Sequence, residues 1–152
     1  MDEELIVLQK EGLDTAQEAL MFLAKRLVTK KVVKESFVEA VIEREAIFPT
    51  GLQFDGYGVA LPHTDAEHVE ETQIAVMTLE KPVTFTQMAT VDQEVTVQLI
   101  IMLAIKEAHS QVEMLQKLIQ LLQDKALVQE ILACRSDQTK AVLNLLTSYH
   151  II

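Results

Sequence analysis

The chain has no tryptophan, one cysteine, four glycines and three prolines, and aromatic residues make up only 5 % of it. A single thiol excludes an internal disulfide and fits a reducing compartment. Basic residues are also scarce: 13 Lys and Arg stand against 23 Asp and Glu, a net charge of −10. Nucleic acid is thereby excluded as a partner, because phosphate binding needs a basic stripe. An anionic membrane surface would repel such a chain. No long apolar run is present either. The longest, residues 95–105, is interrupted by Thr96 and Gln98 and falls well short of the ~20 residues that cross a bilayer. The opening Met1-Asp2-Glu3-Glu4 is acidic, where a signal peptide opens basic. The expected location is the cytoplasm, without membrane insertion.

What is there supports a folded domain. At 152 residues with 49 % hydrophobic content, residues 1–152 form one domain, long enough to bury roughly 70 % of the unfolded surface.

The few chain-breaking residues are concentrated. Three of the four glycines (Gly51, Gly56, Gly58) and two of the three prolines (Pro49, Pro62) fall between residues 48 and 69. Among them sits Gly58-Val59-Ala60-Leu61, long enough for a short buried strand. Pro62 has no N–H to donate, so the strand ends there. His63 is then presented at the strand's carboxyl end on a loop fixed by that proline, a place suited to chemistry.

On either side the chain alternates between strand and helix character. Residues 5–8 suit a first strand. Asp14 with Gln17, and Ser36 with Glu39, read as capping boxes opening two helices. The first buries Ala16, Leu20, Leu23, Ala24 and Leu27; the second turns Phe37, Ala40, Val41 and Ile47 inward and stops before Pro49. Arg44 lies in its last turns, where it leans over the His63 loop. Residues 73–79 form a strand broken at Glu80-Lys81-Pro82, with a short follow-on at 83–85. Residues 95–105 read as a central strand, apolar on both sides toward the end. From Ala108 onward the pattern is helical. Val112, Leu115, Ile119 and Leu122 make one stripe, widened by Leu118 and Leu121, and helices follow at 125–134 and at 137–149, the latter capped by Asp137. This order implies a layered α/β domain.

Arg44-Glu45, Pro49-Thr50-Gly51-Leu52 and Gly58-Val59-Ala60-Leu61-Pro62-His63 resemble the mannitol/fructose class of enzyme IIA domains of the bacterial phosphoenolpyruvate-dependent sugar phosphotransferase system (PTS). The Pro-Thr-Gly-Leu segment and the ending Pro62-His63-Thr64-Asp65 look most like the galactitol-type branch. The likeness runs from the first helix to the last. It implies a mixed, about five-stranded β-sheet flanked by helices on both faces. It also implies a phosphocarrier: His63 accepts a phosphoryl group on Nε2 from the histidine-containing phosphocarrier HPr. The group then passes to a cysteine of a cognate enzyme IIB, and so to uptake through the membrane enzyme IIC. The matching arginine and second histidine are Arg44 and His109, followed by the Leu-rich stretch 115–124 ending in Asp. A regulatory module of the nitrogen type, whose phosphorylation state controls partner proteins, is the alternative.

The residue types suit that chemistry. A neutral imidazole is the nucleophile, and histidine's ordinary pKa of ~6.5 leaves it mostly neutral. Phosphoryl transfer spreads charge over three oxygens, so catalysis is positioning plus donors. Arg44 offers a planar fork, Thr50 and Thr64 offer hydroxyls as substrate-binding groups, and N–H groups after Pro62 form an anion nest. His109 opens a helix whose N-terminus favours an anion. It faces the same mouth of the sheet if the two strands run parallel. Blander roles stand beside these: Arg44 as a solvated helix arginine, His109 as a cap, Asp65 as a turn cap rather than an orienter of an imidazole. His63-x-Asp65-x-x-His68 lacks the spacing of a zinc signature, so no metal and no cofactor are expected. His68 and His150 read as surface residues. Cys134 ends a helix as a half-buried structural thiol, unlike the loop cysteine of an enzyme IIB, and Met21, Met77, Met102 and Met114 read as core filler. A partly apolar docking surface is expected around Phe48, Leu52, Phe54 and Tyr57.

Overall fold

The computed structural model describes residues 2–90 and 92–149; His150 lies outside them. The strands are β1 (Ile6–Lys10), β2 (Gly51–Phe54), β3 (Tyr57–Ala60), β4 (Gln73–Thr86) and β5 (Glu94–Ala104). They form one mixed sheet in the order β1-β4-β5-β3-β2. The helices are α1 (Ala16–Thr29), α2 (Ser36–Ile47), α3 (Ala108–Leu121), α4 (Lys125–Ala133) and α5 (Thr139–Ser148).

The sheet is covered on both faces because its central strands are apolar on both. Along β5, Leu99, Ile101 and Leu103 face α3, α4 and α5, while Ile100, Met102 and Ala104 face α1 and α2. The same alternation splits Ile74 and Val76 from Ala75 and Met77 on β4. Burying each large aliphatic side chain contributes about 1.5–3 kcal/mol, so two half-cores share one sheet.

Strand direction decides where chemistry can sit. β3 and β5 run parallel, whereas β4 is antiparallel to β5 and β2 antiparallel to β3. One end of the sheet therefore gathers the carboxyl ends of β3 and β5 and the amino ends of β2 and β4. The loop bearing His63, the start of α3 with His109 and the exit of α2 all lie at that end.

Several local expectations shift. Residues 51–54 are a strand, paired with β3 as a hairpin turned by Asp55-Gly56, where Gly56 adopts φ 86°. The segment Glu80-Lys81-Pro82 does not end a strand. It is a bulge inside β4, spanned by a register shift between Thr78 and Val83, and Gln98 donates to the Leu79 carbonyl across it. Thr15, not Asp14, caps α1, with Glu18 closing the box. Ser36 makes no cap and bonds His68 instead. Asp137 does not cap α5, which begins after Gln138. Ile47 and Met21 point outward. Val112 is exposed as well, because the buried stripe of α3 runs through Leu118 and on to Leu122.

Gly58 shows how tightly β3 is wedged into the sheet. A Cβ there would collide with the Thr96 carbonyl oxygen and stand 2.6 Å from Val95 Cγ1. Gly12, at φ 84°, has open space around the same position. Gly58→Ala is expected to cost about 3 kcal/mol by overpacking, against about 1 kcal/mol of backbone strain for Gly12→Ala. Urea unfolding of the two variants checks the ranking.

Candidate active site

His63 is held from three directions. Leu61 N–H donates to the Thr50 carbonyl at 3.3 Å, extending the β2–β3 ladder past its last pair. The Pro62 carbonyl accepts from Leu103 N–H at 2.9 Å, extending β3's pairing with β5. The Leu61 carbonyl then accepts a hydrogen bond from the imidazole itself, at 2.8 Å from Nδ1. A carbonyl oxygen only accepts, so Nδ1 carries the proton and Nε2 keeps its lone pair. Leu61 and Pro62 are buried and His63 is half-buried, so the ring's one free lone pair is on Nε2.

Burial is the main cause of a His63 pKa below the ordinary 6.5, and the Arg44 charge pushes the same way. The Leu61 carbonyl and Asp65 pull against them. The ring is therefore neutral at pH 7.

Arg44, in the last turn of α2, leans over this loop as expected. Its guanidinium lies 5.0 Å over the Phe48 ring, and its Nη1 is 3.9 Å from Asp65 Oδ1. The second contact is long and exposed, which makes it weak. Arg44 Nε is sealed from solvent and has no hydrogen-bond partner. Buried donors are rarely left so, and this one belongs to a cation whose charge acts on the His63 ring. Asp65 makes no turn cap; its partner is Arg44.

The two threonines are buried, at 3 % and 4 % exposure. Thr50 gives its hydroxyl proton to Glu45 Oε1 and its N–H to Glu45 Oε2, both at 2.7 Å. That hydroxyl is thus engaged away from His63. The Thr64 carbonyl accepts from Gln111 Nε2 at 2.8 Å, and the same amide reaches the Ile105 carbonyl at 3.4 Å. His109 stands exposed in the first turn of α3, and Gln111, two residues on, is what ties that turn to the His63 loop.

Glu45 and Gln111 are the residues that sequence reasoning missed. Gln111 had a signal: positions 111, 115, 118 and 122 share one helical face, so a polar side chain opens an otherwise apolar stripe. Glu45 had only its place in the Arg44-Glu45 pair that carries the resemblance, which says nothing of its partner. Burial pushes its carboxyl up to about 7, against the pull of the two Thr50 donors and of Arg44.

The rest of the apolar rim is divided. Ile47 and Phe48 are exposed by 71 % and 58 %, whereas Leu52, Phe54 and Tyr57 pack on the α3–α5 side. Tyr57 stacks on Phe54 and donates to the Leu122 carbonyl. His68 Nδ1 bonds Ser36 at 2.8 Å, so it does not turn to His63. Among the described residues no group of three or more His, Cys, Asp or Glu is placed to hold a metal ion. Cys134 is 8 % exposed and its thiol donates to the Glu130 carbonyl; burial pushes its pKa up. Among the described residues no helix is long and apolar enough to cross a membrane.

Two measurements check this electrostatic picture. An NMR titration of His63 is expected to give a pKa below 6.5 with the proton of the neutral ring on Nδ1. For Glu45 the folded pKa of about 7 lies above the ordinary 4.5. Between those values the folded state holds a proton that the unfolded state has lost, so stability falls as pH rises. Relative to Glu45→Gln, the wild-type protein is expected to lose about 3 kcal/mol across that window, read by urea unfolding at each pH.

The family model described as "Phosphoenolpyruvate-dependent sugar phosphotransferase system, EIIA 2" matches residues 1–149. The galactitol-specific EIIA component of Escherichia coli (strain K12) is 31 % identical over 123 residues, covering 81 % of this chain and 81 % of that one. Among solved structures, the complex of enzyme IIAMTL with phosphorylated enzyme IIBMTL from Escherichia coli superposes with TM-score 0.76 at 26 % identity, covering 97 % of both chains. The nitrogen regulatory protein IIA-Ntr from Neisseria meningitidis shares the fold, with TM-score 0.71 at 22 % identity over 95 % of this chain and 94 % of that one. An imidazole bonded through Nδ1 on a braced loop, set in this five-stranded sheet, thus accompanies a match over nearly the whole length: the chain belongs to the EIIA 2 family of the phosphoenolpyruvate-dependent sugar phosphotransferase system.

Proposed function

We propose that the protein carries phosphoryl groups on His63 Nε2, taking them from phosphorylated HPr and giving them to the cysteine of a cognate enzyme IIB in a galactitol-type uptake system. The observation that carries this reading is the 2.8 Å bond from Nδ1 to the Leu61 carbonyl, which leaves Nε2 as the nucleophile. The Nε2 lone pair attacks phosphorus as the donor's phosphorus–nitrogen bond breaks. The ring, keeping its Nδ1 proton, becomes a cation that the Leu61 carbonyl and Asp65 stabilise. Attack by the enzyme IIB thiolate then breaks the new bond and returns the neutral ring. No net proton is gained or lost by His63.

Arg44 meets the transferring oxygens. Its unpartnered Nε and its long contact with Asp65 leave it free to turn toward the phosphoryl group. The N-terminus of α3, where His109 stands, supplies positive potential. Ile47, Phe48 and Val112, large apolar side chains left exposed, offer a transient docking rim.

The 31 % identity to a galactitol component favours the sugar branch over the nitrogen-type regulatory role, for which the likeness is one of fold. Transfer onward to an enzyme IIB cysteine separates the two.

Incubation with phosphoenolpyruvate, enzyme I and HPr is expected to give an acid-labile phosphate on the wild-type protein and none on His63→Ala. Label retained in that variant overturns the assignment. Arg44→Gln is expected to slow transfer by about 10²–10³-fold, measured by rapid-quench phosphorylation, and an unchanged rate removes Arg44 from the chemistry.

A further inference from the structure

We infer that Glu45 is a positioning residue for His63, acting through an unbroken run of hydrogen bonds that ends on the imidazole. The inference rests on His63 being the phosphoryl acceptor. Glu45 takes both donors of Thr50, the N–H on Oε2 and the hydroxyl on Oε1. With its N–H and hydroxyl fixed, Thr50 holds out its carbonyl to Leu61 N–H at 3.3 Å. The carbonyl of that same Leu61 receives His63 Nδ1–H. Each bond fixes one side of a residue whose other side makes the next.

The neighbouring contacts explain why the carboxylate is needed at this spot. Gly51 is pinned by Met88 N–H on its carbonyl, and a Cβ there would stand 2.6 Å from the Thr86 carbonyl oxygen. The strand that starts at Gly51 is therefore fixed in place. Thr50, one residue earlier, gives its carbonyl to the ladder, and the side chain of Glu45 supplies the acceptors for its N–H and hydroxyl. Buried donors without acceptors are costly, so removing the carboxyl releases the Thr50 peptide toward other partners.

Arg44 and Glu45 thus divide one helix end between two tasks. Arg44 faces the group being transferred, and Glu45 sets the base of the loop that presents the nucleophile. The bonds rather than the charge carry the effect, since burial holds the carboxyl near half-ionisation around neutral pH. Glutamine preserves both links: its amide oxygen accepts from Thr50 N–H, and its amide nitrogen donates to the Thr50 hydroxyl oxygen.

The test uses protein with ¹⁵N-labelled histidine and two readouts, the tautomer of His63 without any donor and the rate of phosphorylation by phosphorylated HPr. Glu45→Ala is expected to bring up the Nε2–H tautomer and to lower kcat about tenfold, leaving the KM for HPr unchanged because the docking rim is intact. Glu45→Gln is expected to restore both. Wild-type tautomer and rate in Glu45→Ala overturn the inference, as does a Glu45→Gln variant as impaired as Glu45→Ala. If Glu45→Ala does not fold, Thr50→Val removes one link, and an unchanged tautomer and rate there overturn it equally. A wild-type protein that takes up no phosphate defeats the carrier reading alone, because the tautomer shift is read without phosphorylation.

Discussion

The hydrogen bond between the Leu61 carbonyl and His63 Nδ1 does three things at once, and each depends on a different part of the fold. It selects the tautomer, because a carbonyl cannot donate. It fixes the plane of the ring, because the carbonyl belongs to a residue that is 0 % exposed and paired to β2. In the proposed transfer it also stabilises the cationic ring that attack by Nε2 creates. A histidine on a free loop would have either tautomer and many orientations, and ordering it would cost side-chain entropy at every turnover. Here the ordering is done during folding, by a proline and two flanking strands.

That division of labour explains the topology. β3 is only four residues long, too short to hold a loop rigid alone. It is clamped between β2 and β5, and both ladders run past the last strand residue to take in Leu61 and Pro62. The crossover from β3 to the parallel β5 passes through β4, the longest strand, whose bulge absorbs Pro82 without ending the pairing. Parallel alignment of β3 with β5 then puts the start of α3 beside the His63 loop. Gln111 closes the gap by bonding a carbonyl on each side.

Much of this was legible in the chain, for a physical reason. Glycine and proline constrain the backbone locally, so their crowding between residues 48 and 69 marked the loop and put His63 at its tip. Apolar runs marked β5 and the three carboxyl-terminal helices. The missed features depend on contacts distant in sequence or on competition between neighbours. Thr15 displaced Asp14 as a cap because Glu18 reaches both residues. Residues 80–82 read as a break, yet the pairing of β4 with β5 on both sides outweighs one proline. The Glu45–Thr50 clasp turns back around Pro49, a path with no periodicity to reveal it. Val112 is apolar and so reads as part of the inner stripe of α3, yet it is 57 % exposed. The inner position belongs to Gln111, whose amide satisfies backbone carbonyls that a valine would leave unpaired.

In the proposed carrier role, the half-buried setting of His63 resolves a conflict between two demands. Attack on phosphorus asks for a neutral, desolvated nitrogen, and burial lowers the pKa of the ring accordingly. Passing the group between two proteins asks that the same nitrogen be reached from outside. A fully buried imidazole would meet the first demand and fail the second. A fully exposed one would be accessible but solvated and free to rotate. The structure meets both by burying the Nδ1 edge against Leu61 while Arg44, with its own Nε unsatisfied, overlooks the ring. In the proposed carrier role, the cation that lowers the pKa of the ring also attracts the phosphoryl group, so one guanidinium favours the nucleophile before transfer and the anion after it.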